Sequence, residues 1–126
     1  MKLSEMRELL KTRDIQLTKS LGQNFLHDAN QLRRIVNAAE LTKVDKVLEI
    51  GPGLGPLTEL LIAHAGEVLA IEKDRRLVEV LRERFQTLTP SLSHPMGEGV
   101  RRTSEGKHLF SLLHNDALEF LRREQR

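Results

Sequence analysis

No cysteine, tyrosine or tryptophan occurs anywhere in the 126 residues. The first absence removes disulfides, thiolate zinc sites and cysteine nucleophiles together, so the fold rests on packing and hydrogen bonds alone. The other two leave four phenylalanines as the rings that could stack on a nucleic-acid base. Long apolar runs are lacking too. No stretch has the roughly 20 uninterrupted residues of a membrane-spanning helix, and the opening MKLSEMRELLKTRD is too charged for a secretory signal. A cytoplasmic protein without a membrane segment is expected. Net charge is only +2 with histidine neutral, too small to imply a nucleic-acid partner by itself. The five histidines, at 27, 64, 94, 108 and 114, show no paired spacing and have no cysteine partners, so no metal site is expected.

What is present is a rhythm of short strands and helices. Residues 4–12 have helical spacing at Met6, Leu9 and Leu10, with Ser4 as the expected cap. Asp28 is the expected cap of a helix reaching Ala39, with Leu32, Ile35, Val36 and Ala39 inward and Arg33 and Arg34 toward water. KVLEI (46–50) and EVLAI (67–71) read as buried parallel strands, and PLTELLIAHA between them as a helix. Pro56 suits that helix's first turn, where its missing N–H has no partner to lose. DRRLVEVLRERF, from Asp74, predicts a helix burying Leu77, Val78, Leu81 and Phe85. Residues 87–107 hold two prolines and several glycines without an apolar period and read as a long exposed loop, a flexible insertion. HLFSLLH then predicts a third strand and DALEFLRREQ a closing helix. Alternating strands and helices predict an open α/β sheet with right-handed crossovers.

The chemistry concentrates at Gly51, Gly53 and Gly55, directly after the first strand and before a helix. Such a loop turns sharply and lets a ligand approach the backbone. The spacing is G-x-G-x-G, with Pro56 where a dinucleotide fingerprint would end, so a nicotinamide oxidoreductase fits poorly. Glu72 closes the second strand about twenty residues on, where an acid can accept hydrogen bonds from both ribose hydroxyls of an adenosine. Asp116, just past the third strand, falls at the same edge of the sheet and can accept from an adenine amine. The competing reading is an ordinary α/β turn whose glycines relieve sterics and whose acids, Asp74 and Asp116, merely cap helices. Lys11, Arg13 and Lys19 gather in one segment poor in acids; contact with RNA phosphates and a solvated surface are both open to them.

Together, KSLGQNFL (19–26), LEIGPGLGPLT (48–58), IEKD (71–74) and NDAL (115–118) resemble the rRNA adenine N6-dimethyltransferase family, from about residue 3 to residue 120 without 87–107. The resemblance implies a Rossmann-like fold dependent on S-adenosylmethionine, with a helical extension over 1–45 and a partial methyltransferase domain over 46–126. It implies dimethylation of adjacent adenines in small-subunit rRNA, with the rRNA or a ribosomal subunit precursor as partner. By position, Gln23, Asn24 and Leu26 match the segment closing over the methionine end of the cofactor, Gly51 and Gly53 the loop beneath it, Glu72 the ribose acid and Asp116 the adenine acid. The family's Asn-Leu-Pro-Tyr motif, which holds the target amine and stacks on the flipped base, does not occur here. No catalytic residue is therefore assigned. An N-terminal fragment truncated after about three parallel strands is expected, with the first strand left at the sheet's edge, weak cofactor binding and self-association. The alternative is a cofactor- or RNA-binding remnant without chemistry.

Overall fold

The computed structural model describes residues 1–16, 28–85, 99–102 and 109–125. Along the chain these form α1 (Leu3–Thr12), α2 (Ala29–Ala39), β1 (Lys46–Ile50), α3 (Pro56–His64), β2 (Glu67–Glu72), α4 (Arg75–Phe85), β3 (Gly99–Arg102), β4 (Leu109–His114) and α5 (Ala117–Glu124). The four strands make one sheet in the order β1-β2-β4-β3. β1, β2 and β4 run parallel, with Val47 beside Val68 and Val68 beside Phe110. β3 lies antiparallel to β4, so residues 99–102 are strand where the sequence predicted loop. A strand of four residues shows almost no period, which is why the pattern missed it.

Local chemistry sets most of the boundaries. Asp28 accepts from the backbone of Asn30 and Gln31 at the start of α2, as expected. Pro56 occupies the first turn of α3, and Asp116 accepts from the Leu118 backbone at the start of α5. For α1 the sequence expectation fails. The helix begins two residues early, Lys2 takes the cap position, and Ser4 lies inside the first turn. The Glu5 carboxylate accepts from the Lys2 backbone N–H at 2.7 Å, so the acid one turn in satisfies the helix end in place of Ser4.

The register puts Val47, Glu49, Val68, Ala70, Glu72, Phe110 and Leu112 on one face of the sheet. Leu61 of α3 and Val78, Leu81 and Phe85 of α4 pack on that face, with Val36 of α2 behind them. The Phe85 and Phe110 rings meet at 5.3 Å between centroids, tilted by 52°, a favoured aromatic geometry. Only Leu32 and Val36 of the expected α2 stripe are buried; Ile35 and Ala39 are exposed. Among the described elements α2 packs mainly on α3, so a narrow line of contact suffices.

The opposite face is thinner. Leu48 and Ile50 of β1 are 44% and 58% exposed, and α5 buries none of its residues. Among the described strands β1 stands at the sheet's edge, as the sequence reading expects. Parallel sheets in stable domains are covered on both faces. A second core ties α1 to the rest: Met6 and Ile15 pack with Leu54, Leu77 and Val80. Arg13 pairs with Glu83, and the N-terminal ammonium lies 3.3 Å from Glu59.

Candidate functional site

The loop between β1 and α3 makes its turn on three glycines in the left-handed region, with φ of +69° at Gly51, +63° at Gly53 and +89° at Gly55. L-residues pay steric strain there and glycine does not. The Gly51 N–H donates to the Ile71 carbonyl at 2.9 Å, which pins the start of the loop against the end of β2. At its other end the loop is wedged. A Cβ added at Gly55 would stand 2.7 Å from Arg84, 2.9 Å from Phe85 and 3.0 Å from Leu81, whereas one added at Gly51 would meet nothing within 4 Å. Leu54 is completely buried, and the Arg84 guanidinium donates to its carbonyl. Arg84 also pairs with Glu59. The loop is therefore fixed on the helix side and open at the strand end.

Glu72, the last residue of β2, is buried and reaches across to this loop. One of its oxygens accepts from the Gly53 N–H at 3.1 Å and the other from the Asp74 N–H at 3.0 Å. Two donors orient the group and leave lone pairs free, since a carboxylate can accept about four hydrogen bonds. The Asn115 N–H donates to the Glu72 carbonyl at 3.1 Å, which brings the end of β4 alongside. Asp116 follows, with one oxygen accepting from Leu118 at 2.9 Å and the other 3.1 Å from the Lys73 ammonium. The Lys73 bond, and after it the Leu118 N–H, holds the Asp116 carboxyl below the usual carboxylate range. Asp74 is also buried, and it is tied to Arg76 by bonds of 3.1 Å and 2.7 Å.

Gly51, Glu72 and Asp116 thus stand at the C-terminal ends of three adjacent parallel strands, where ligands of open α/β sheets bind. Glu72 and Gly53 are in direct contact, while Asp116 caps α5, as the competing reading expects. Gln23, Asn24, Leu26 and Lys19 lie outside the described residues. Lys11 is exposed, and Arg13 is occupied by Glu83.

The sequence reading overlooked Glu49. It is the fourth residue of β1, 8% exposed, and faces the same side of the sheet as Glu72. The Thr58 hydroxyl donates to one of its oxygens at 2.6 Å. Burial, and secondarily the Glu72 charge, pushes its carboxyl up from 4.5 to about 7 against the opposing pull of Thr58. An acid at an inward position of an apolar strand was the available signal, because carboxylates are almost never buried without a partner.

Residues 15–95 match the family model described as ribosomal RNA adenine dimethylase. Ribosomal RNA small subunit methyltransferase A of Corynebacterium glutamicum is 52% identical over 92 residues, 73% of this chain and 31% of that protein. The protein of the same name from Halothermothrix orenii is 50% identical over 78 residues, 62% of this chain and 26% of the relative. Among solved structures, a Pyrococcus horikoshii protein described as an RNA methyltransferase aligns with a TM-score of 0.56 at 21% identity, over 90% of this chain and 52% of the other. That likeness concerns the fold. The chain spans between a quarter and a third of the length of the curated relatives it matches.

Proposed function

The chain belongs to the ribosomal RNA adenine dimethylase family, and from that premise we propose that it forms the S-adenosylmethionine-binding part of an rRNA adenine N6-dimethyltransferase. The single observation that carries the proposal is the Glu72 carboxylate, buried, held by the Gly53 and Asp74 N–H groups and placed at the mouth of the glycine loop. Such a carboxylate suits a pair of vicinal ribose hydroxyls, since each oxygen keeps an acceptor position for one of them. The empty space at Gly51 fits a ligand lying against the backbone, where any side chain would intrude.

In this reading Gly51 and Gly53 form the floor of the site, Glu72 grips the sugar and Asp116 accepts from the adenine amine. Gln23, Asn24 and Leu26 close over the methionine end. The bound cofactor supplies a methyl group already activated by a sulfonium. The residues of this chain hold that group in place, and none of them is assigned a proton transfer. The target is the N6 amine of adjacent adenines in small-subunit rRNA during ribosome maturation in the cytoplasm. Lys11, Arg13 and Lys19 face RNA phosphates, which requires Arg13 to exchange its pairing with Glu83.

Calorimetric titration of S-adenosylmethionine into the chain and into Glu72→Gln tests the core of this. A hydrogen bond to a charged acceptor contributes about 1.5–3 kcal/mol, so the variant is expected to bind roughly ten- to a hundredfold more weakly. Equal affinities would remove Glu72 from the site and the proposal with it. Methyl transfer to unmodified rRNA separates an enzyme from a cofactor-binding remnant.

A further inference from the structure

Two acids lie under and beside the glycine loop on one face of the sheet, and no basic side chain is paired with either among the described residues. Glu72 is bonded to backbone N–H groups. Glu49 has the Thr58 hydroxyl on one oxygen, and no described donor meets the other. The neighbouring charges are committed elsewhere: Glu59 is paired with Arg84 and the N-terminal ammonium, and Asp74 with Arg76. Glu72 is therefore the charged group that acts on Glu49. A buried carboxylate without a counter-charge is costly, and placing it beside a second one compounds the cost. A cation arriving at the loop would relieve both.

We propose that Glu49 makes this site discriminate by charge, favouring the cationic methyl donor over the neutral thioether left once the methyl has gone. The inference rests on the reading of the site as one for S-adenosylmethionine. Both molecules carry the same adenosine, carboxylate and ammonium and differ by the sulfonium charge. Glu49 touches no reacting atom; it acts through the low dielectric under the loop, where a charge is felt far more strongly than in water. Burial keeps the group protonated below about pH 7 in the free protein. The cationic donor stabilises the ionised form and expels that proton, so its affinity rises with pH until about 7 and then levels. The thioether lacks the sulfonium charge and expels the proton far less. Product then leaves more readily than substrate at neutral and higher pH, and this advantage shrinks in acid.

Calorimetry of S-adenosylmethionine and S-adenosylhomocysteine at pH 6 and pH 8 reads this directly. The ratio of the two affinities is expected to move about tenfold in favour of the donor between those values. In Glu49→Gln the ratio should be the same at both. In Thr58→Val, which removes the hydroxyl that lowers the Glu49 pKa, the change should shift to higher pH, a displacement that a merely structural role for Thr58 would not cause. Binding of both ligands with a ratio indifferent to pH, or a wild-type profile retained in Glu49→Gln, overturns the inference and leaves the cofactor reading intact. Absence of binding by either ligand at both pH values overturns the two together.

Discussion

The two ends of the glycine loop share a left-handed backbone and differ in what surrounds them. Gly55 is glycine because α4 presses against it: Arg84, Phe85 and Leu81 fill the space a side chain would need. Gly51 has the same conformational demand, at φ +69°, with empty space around it. Packing fixes the first position and leaves the second open. The acids divide in a similar way. Glu72 is held at the mouth of the loop by two N–H groups, and Glu49 is buried beneath it with one hydroxyl. Glycines and carboxylates that read alike along the chain therefore separate into wedged and open, paired and buried members only when their neighbours are known.

Substitutions should widen or erase that division. The largest effect is expected at the wedged end. Gly55→Ala combines overpacking, typically about 1–3 kcal/mol, with left-handed strain of roughly 1–2 kcal/mol. A loss of about 3 kcal/mol in urea unfolding is expected, and a loss below about 1 kcal/mol would show that α4 yields easily. Next comes Glu49. Its carboxyl is raised on folding from 4.5 to about 7, so the folded state binds the proton more tightly than the unfolded one. The stability this brings is complete below about pH 4.5 and is lost as pH rises through about 7, a fall of up to about 3 kcal/mol. Unfolding of Glu49→Gln across that range should lack this fall and leave the variant the more stable protein at pH 8. The smallest stability effect belongs to the open end. Gly51→Ala has strain without a clash, about 1 kcal/mol, yet its methyl enters the space assigned to the cofactor. Titration should show affinity falling by far more than the thermal midpoint suggests, and a proportionate loss of both would erase the difference between the two glycines.

Features governed by neighbours in sequence were legible from the chain. Asp28 and Asp116 as caps, Pro56 in a first turn and the inward residues of α4 follow from rules spanning three or four residues. The pairing of Glu72 with the loop was legible through a spacing of about twenty residues, because a strand, a helix and a second strand consume that length. Features decided by distant packing were not. Ile35 has the apolar character of Val36 and lies exposed because α2 meets α3 along a narrow line. Ser4 is a better cap than Lys2 by type, yet the helix starts earlier, where Glu5 can serve its end. Glu49 disappeared inside KVLEI since a strand read for hydrophobicity treats one acid as noise. Val80 was missed because its burial depends on α1, which arrives from more than sixty residues away.

That arrival bears on the loop itself. Leu54 lies within the glycine segment, and the buried residues packed with it are Met6, Ile15, Leu77 and Val80, so half of that cushion comes from the first sixteen residues of the chain. The loop thus leans on a surface made jointly by the N-terminal segment and α4. Removing those first residues is therefore expected to loosen a loop that they do not adjoin in sequence.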